Sequence, residues 1–168
     1  MLLTPSNFVG ELAIGQLASE FVETNLQWFI DKYEPIFYHA VIGEPLYLKM
    51  VEGLPDGDEL PENKKWHDLK DRTIQYAAAF VWFHYVNNQI TATMGSGEVQ
   101  INFESATNKS PWAKMVHVWN EMSDTVKIKG TVLSPMLFWV HSNYAEFVPD
   151  LTLYDKYGLG RHENLFGI

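Results

Sequence analysis

Six histidines, His39, His67, His84, His117, His141 and His162, are the side chains of this sequence best suited to metal binding or proton transfer. No two of them stand four residues apart and none lies in a His-Glu-x-x-His run, so no pre-spaced zinc site is present. His84 sits in an apolar stretch and reads as a satisfied core histidine, with a functional base as the sharper alternative. His117 and His141 fall on neighbouring predicted helices, yet nothing in the sequence requires them to meet. Carboxylates are no more telling. Asp68 and Asp71 share a helix face, where capping and solubility account for them. Asp56, Asp58, Glu59 and Glu62 resemble a calcium loop in composition but lack its residue order, central glycine and final glutamate. Gly95-Ser96-Gly97 has neither the spacing nor the lysine of a phosphate-binding loop. No serine occupies a Gly-x-Ser-x-Gly elbow. The chain has no cysteine, which excludes thiolate chemistry and disulfides. The expectation is a protein with no catalytic residue, no cofactor and no metal ligand.

The stretch around which the rest of the sequence is organised runs from Asp68 to Thr91. Between Ile74 and Val86 only Gln75 and His84 are clearly polar. A helix apolar on every side must be surrounded by protein or lipid. Because the run is shorter than the roughly 20 apolar residues of a membrane span and follows Asp68, Lys70, Asp71 and Arg72, protein is expected. Asp68 is the predicted N-cap. Around this helix the sequence places a first helix after Ser19, with Val22, Leu26, Phe29, Ile30 and Tyr33 at helical spacing. Glu34-Pro35 predicts a break or kink, followed by a short helix ending at Gly43. Glu44-Pro45, Ser110-Pro111 and Ser134-Pro135 each predict a helix start, since proline suits the first position. The helix after Pro111 shows an apolar stripe at Trp112, Met115, Val116, Trp119, Met122 and Val126, and is expected to end at Lys127, Lys129 and Gly130. The last helix is expected to stop at Pro149, with Leu137, Val140, His141, Tyr144, Phe147 and Val148 facing inward. Residues 1–17 read as an extended or partly helical arm and 150–168 as an aperiodic tail. Val99, Ile101 and Phe103 alternate with polar residues, a weak strand signal after the glycine-rich breaker at 93–97.

The predicted class is therefore all-α: one irregular bundle of about five or six helices around a long buried helix, spanning 1–168. With 168 residues, 46% of them hydrophobic and six of them tryptophan, the chain is long and apolar enough for a sizeable core. The tryptophans, scattered one per element, read as core or interface packing rather than a stacking groove. A net charge of −9 argues against general nucleic-acid binding, which needs a basic face. No charged, apolar and small-residue leader opens the sequence, so export through a signal peptide is not expected.

Several stretches together resemble one family. Phe29-Ile30-Asp31-Lys32-Tyr33-Glu34-Pro35, Val41-Ile42-Gly43 and Glu44-Pro45-Leu46-Tyr47 look like the opening of a group of Bacteroides-type phage and prophage proteins. The aromatic helix from Tyr76 to Tyr85, the run Thr93-Met94-Gly95-Ser96-Gly97-Glu98-Val99 and the terminus Asn164-Leu165-Phe166-Gly167-Ile168 resemble that group's middle and end. Val41-Ile42 stands where leucines are usual. The group is similar in layout to the head–tail connector (adaptor) proteins of long-tailed phages. That resemblance implies a structural virion protein, made in the bacterial host cytoplasm. It would form a ring, usually twelvefold, between the portal and a tail-completion protein at the head–tail junction. DNA would pass through such a ring without sequence-specific binding, and no membrane partner is implied. Gly95, Gly97, Glu98, Val99, Leu165, Phe166 and Ile168 are the candidate interface residues, the last three because a solvated tail has no reason to end in large hydrophobes. The alternatives are a helical enzyme or ligand-binding domain with a pocket lined by His84, His117 and His141, and a helical interaction protein unrelated to virions.

Overall fold

The longest helix, α3 (Lys64–Ile90), is 27 residues, about 40 Å at about 1.5 Å per residue. A computed structural model describes residues 1–15, 20–54, 63–94, 97–100 and 111–159. Around α3 lie α1 (Glu20–Val41), α2 (Glu44–Glu52), α4 (Pro111–Thr125), α5 (Pro135–Asn143) and α6 (Leu151–Lys156). Two 3₁₀ turns, Pro5–Asn7 and Gly10–Leu12, precede them. Two antiparallel pairs complete the described elements, β1 (Thr91–Met94) with β2 (Gly97–Gln100) and β3 (Ile128–Lys129) with β4 (Val132–Leu133). The fold is all-α, and its strands are only short hairpins.

Burial of α3 follows from its composition. Ala77, Ala78, Phe80 and Val81 are fully shielded, and Trp66, Leu69, Thr73, Ala79, Trp82, Phe83, Tyr85 and Ile90 are buried. The helix begins four residues before the predicted cap: the Asn63 carbonyl accepts from the Trp66 and His67 amides, so Asp68 lies inside the helix. It packs chiefly against α1 and α4. The apolar stripe of α1 behaves as its spacing predicts, with Leu26, Phe29 and Ile30 buried. Ser19 lies outside the described residues.

Helix α1 runs through Pro35 to Val41, so of the expected break or kink the break does not occur and no separate short helix follows it. Proline forfeits the bond to the carbonyl four residues back. That carbonyl belongs to Asp31, an exposed residue, so water can take the lost bond. Meanwhile Glu34, Phe37 and Tyr38 on either side of the proline are wholly buried, which holds the helix on course.

Glu34 is the most demanding of these. Its carboxylate accepts from the Leu2 amide at 2.9 and 3.1 Å, from the Leu3 amide at 2.7 Å and from the Tyr47 hydroxyl at 2.8 Å. The N-terminal segment is accordingly not a free arm. Leu2, Leu3 and Phe8 are buried in the same core as α1 and α3. The turn at Gly43 is fixed as tightly. Gly43 has φ 92°, a region that favours glycine, and a Cβ there would run into the Val148 carbonyl. The segment after α5 thus returns along the end of α1, with the Val148 amide on the Ile42 carbonyl and the Asp150 amide on that of His39.

The C-terminal half departs from expectation in detail. Helix α4 ends at Thr125, and Lys129 enters a hairpin whose turn contains Gly130 at φ 61°. The Tyr154 hydroxyl fixes this junction by donating to the Val126 carbonyl and accepting from the Ile128 amide. Val118, absent from the predicted stripe, is buried with Met115, Trp119, Met122 and Val126, while Trp112 and Val116 are half-buried. Helix α5 starts as predicted, Ser134 accepting from the Leu137 amide, but stops at Asn143 rather than Pro149. Its inner face is Leu137 and Val140, with Tyr144 just beyond; His141 and Val148 are exposed. Nor is the segment from 150 wholly aperiodic: Asp150 caps α6 by accepting from the Thr152 and Leu153 amides. Tyr154 and Leu159 are buried.

Two substitutions test this frame. Glu34→Ala leaves two amides and a phenol without their acceptor and is expected to cost about 3–5 kcal/mol in chemical denaturation. Gly43→Ala meets both the backbone strain and the Val148 carbonyl, and is expected to cost at least about 2 kcal/mol. A denaturation midpoint unchanged in either variant would contradict the corresponding contact.

Candidate functional site

Three parts of the structure carry the side chains singled out above: the end of α3, the aromatic core, and a groove beside the N-terminal segment. At the end of α3 the chain turns directly into β1, and β2 returns with Thr91 opposite Gln100 and Met94 opposite Gly97. The hairpin's main packing partner apart from itself is α3. Gly97, Glu98 and Val99 all lie on β2. The strand signal was thus half legible, since β1 lies in residues assigned to the helix end and the breaker. Gly95, Leu165, Phe166 and Ile168 lie outside the described residues, as do Ile101 and Phe103.

The histidines do not share surroundings. His84, on α3, stacks on Tyr33 of α1 with ring centroids 4.1 Å apart and planes 4° apart. Phe80 lies edge-on at 4.6 Å, and Phe83, Tyr157 and Trp119 close the ring at 5.6, 5.9 and 6.4 Å. Its Nε2 is buried with no hydrogen-bond partner among the described residues, so it is a core histidine but not a satisfied one. Burial, and then the Lys32 ammonium, lower its pKa from 6.5 to about 4. A neutral imidazole enclosed by five aromatic rings is held as a packing element. His141 is exposed on α5 and meets Phe147 at 5.6 Å, and His117 is exposed on α4. No ring or ion-pair partner is common to the three.

The groove, of about 510 Å³, lies between the second 3₁₀ turn, α3 and α4. Leu12, Tyr76, Ala79, Val118 and Met122 give it an apolar floor, and Glu11, Glu121 and Asp124 give it acidic walls. Among the described residues no lysine or arginine lines it. At its edge His117 Nε2 stands 3.5 Å from a Glu121 oxygen and 3.9 Å from a Glu11 oxygen. Sequence reasoning passed over this trio. The signal was the four-residue spacing of His117 and Glu121 on one helix, missed because only histidine pairs were sought; nothing local pointed to Glu11.

Elsewhere on the surface, several large apolar side chains remain in solvent. Trp28 is 54% exposed and Phe138 64%, and Leu48, Val132, Val148 and Leu151 are also exposed. Cations cover four tryptophans: Lys32 stands 4.8 Å from the Trp28 ring centre, Lys65 4.3 Å from Trp66, Arg72 4.2 Å from Trp139 and Lys114 5.0 Å from Trp82. No protein-family model, curated protein or solved structure matches the chain.

The His84 environment has a measurable consequence. Between pH 6.5 and about 4 the unfolded chain binds a proton at this position and the folded chain does not. Its contribution is therefore present above pH 6.5 and lost as pH falls towards 4, up to about 3 kcal/mol in all. His84→Phe is expected to remove this slope when unfolding free energies of both proteins are compared from pH 4 to 7. Parallel profiles would show that the imidazole is not kept neutral by its surroundings.

Proposed function

We propose that this chain is a structural subunit of a phage head–tail connector, assembling as a ring between portal and tail and letting DNA pass through. The observation that carries the reading is the β1–β2 hairpin. It occupies the Thr93-to-Val99 stretch of the family pattern and extends the central helix, with α3 as its main support. An antiparallel strand pair is the kind of element on which another chain can add a strand through its backbone.

Further support comes from how the other family-pattern residues are used. Glu34 belongs to one quoted stretch and Tyr47 to another, and they are bonded to each other in the core. Gly43 stands between them at the tight crossing with Val148. The resemblance thus rests on residues that build the fold rather than on surface chemistry. A net charge of −9 suits a wall that DNA slides past without adhering. No helix among the described residues is long and apolar enough to cross a membrane.

Mixing the purified chain with the portal protein of the same phage or prophage and imaging by negative stain tests the reading. The expected result is a closed ring on the portal, with twelvefold symmetry as the family pattern implies. Val99→Asp with Glu98→Arg, both on β2, should abolish the ring, read by negative stain, while the variant still folds, read by its far-UV circular dichroism. A chain that neither self-associates nor binds the portal at any concentration tried would overturn the proposal.

A further inference from the structure

We propose that Glu11, His117 and Glu121 form a binding site for a divalent first-row transition ion of the zinc type, joining the N-terminal segment to α4. Each residue offers one ligand atom, and the three atoms lie within 4.8 Å of one another. Two come from successive turns of one helix, and the third from a segment more than a hundred residues away in sequence. The inference does not depend on ring assembly.

The distances favour an ion over a hydrogen-bonded cluster. Both carboxylates converge on a single atom, His117 Nε2, at 3.5 and 3.9 Å. These exceed the roughly 2.7–3.2 Å of an N–H···O bond, and one N–H cannot serve two acceptors well. They do match two ligands of one ion, since donors bound at about 2.1 Å stand about 3.4 Å apart at tetrahedral angles. All three side chains are exposed, which leaves them room to close on a common centre. Glu11 and Glu121 also stand in the wall of the neighbouring groove. An imidazole with two carboxylates suits zinc, cobalt, nickel or manganese better than calcium or magnesium, which prefer an all-oxygen shell. With three protein ligands, further coordination positions face solvent.

The test uses the untagged full chain, stripped with chelator, in calorimetric and thermal titrations with zinc chloride. One ion should bind per chain, and Tm should rise by about 5–10 °C when free zinc reaches about a hundred times its Kd. His117→Ala and Glu11→Gln each replace an exposed side chain, so both variants should fold, and both should lose most of the rise. Magnesium at the same concentration should produce little change. The site is overturned if zinc leaves Tm and heat unchanged, if either variant responds as fully as the parent, or if magnesium acts as strongly as zinc. The first of these outcomes would reduce the trio to a surface ion pair.

Discussion

A carboxylate removed from water is tolerable only when protein donors replace what water supplied, and the position of Glu34 imposes that condition on everything around it. Two main-chain amides from the start of the chain and one phenol from α2 meet it. These donors cannot be present unless the first residues lie across α1 and α2 packs beside it. One buried charge thereby dictates the mutual arrangement of three segments. The phenols nearby are kept as donors by the same arrangement. Burial, followed by the charge and hydrogen bond of Glu34, raises the Tyr47 pKa far above its ordinary value. Burial also raises that of Tyr38, whose hydroxyl bonds Thr73 on α3. Since Thr73 gives its own proton to the Leu69 carbonyl, Tyr38 is the donor in that pair.

The remainder of the interior is governed by aromatic packing. Rings from α1, α3, α4 and the end of α6 interlock around Phe80, which meets Tyr33, Phe37, Trp119 and Tyr157 at 5.7–6.1 Å. Those with Tyr33 and Tyr157 are edge-to-face, an arrangement that adds to the area they bury. His84 too is accommodated there as a ring rather than as a base. Outside the buried Glu34 cluster, polar groups gather at the rim of the groove and on the lysines and arginine that cover tryptophan faces. A molecule so arranged has its specificity in its outline, which agrees with a proposed life among neighbouring subunits.

Much of the helical framework was legible because proline and its preceding residue punctuate it. Pro45, Pro111 and Pro135 stand in the first turns of α2, α4 and α5, where the missing amide costs nothing. The same residue type misled at Pro35, since local preference gave way to the buried groups beside it. Helix α6, with six residues, is too short for periodicity to register, although Asp150 ahead of Thr152 and Leu153 was a readable cap. The docking of residues 1–12 was invisible for a different reason: its determinants, Glu34 and the core of α1, lie far along the chain. Of the surface trio, the helical pair could have been found by spacing. Glu11 could not, because only the tertiary fold brings it there.

The packing of α6 against α1 also bears on how the chain matures as it is synthesised. The segment from Leu2 to Tyr47 contains every partner of Glu34, so that cluster can close soon after it leaves the ribosome. Tyr157 and Leu159, by contrast, can reach the interior only after more than a hundred further residues have followed Tyr47. Until then the face of α1 and α3 that they cover stays open, in a cell where nascent copies sit close together on a shared message. An unsealed aromatic surface is adhesive, and premature contact between copies is the hazard of such an order of assembly. Helix α6 therefore closes over a surface that α1 and α3 have already built.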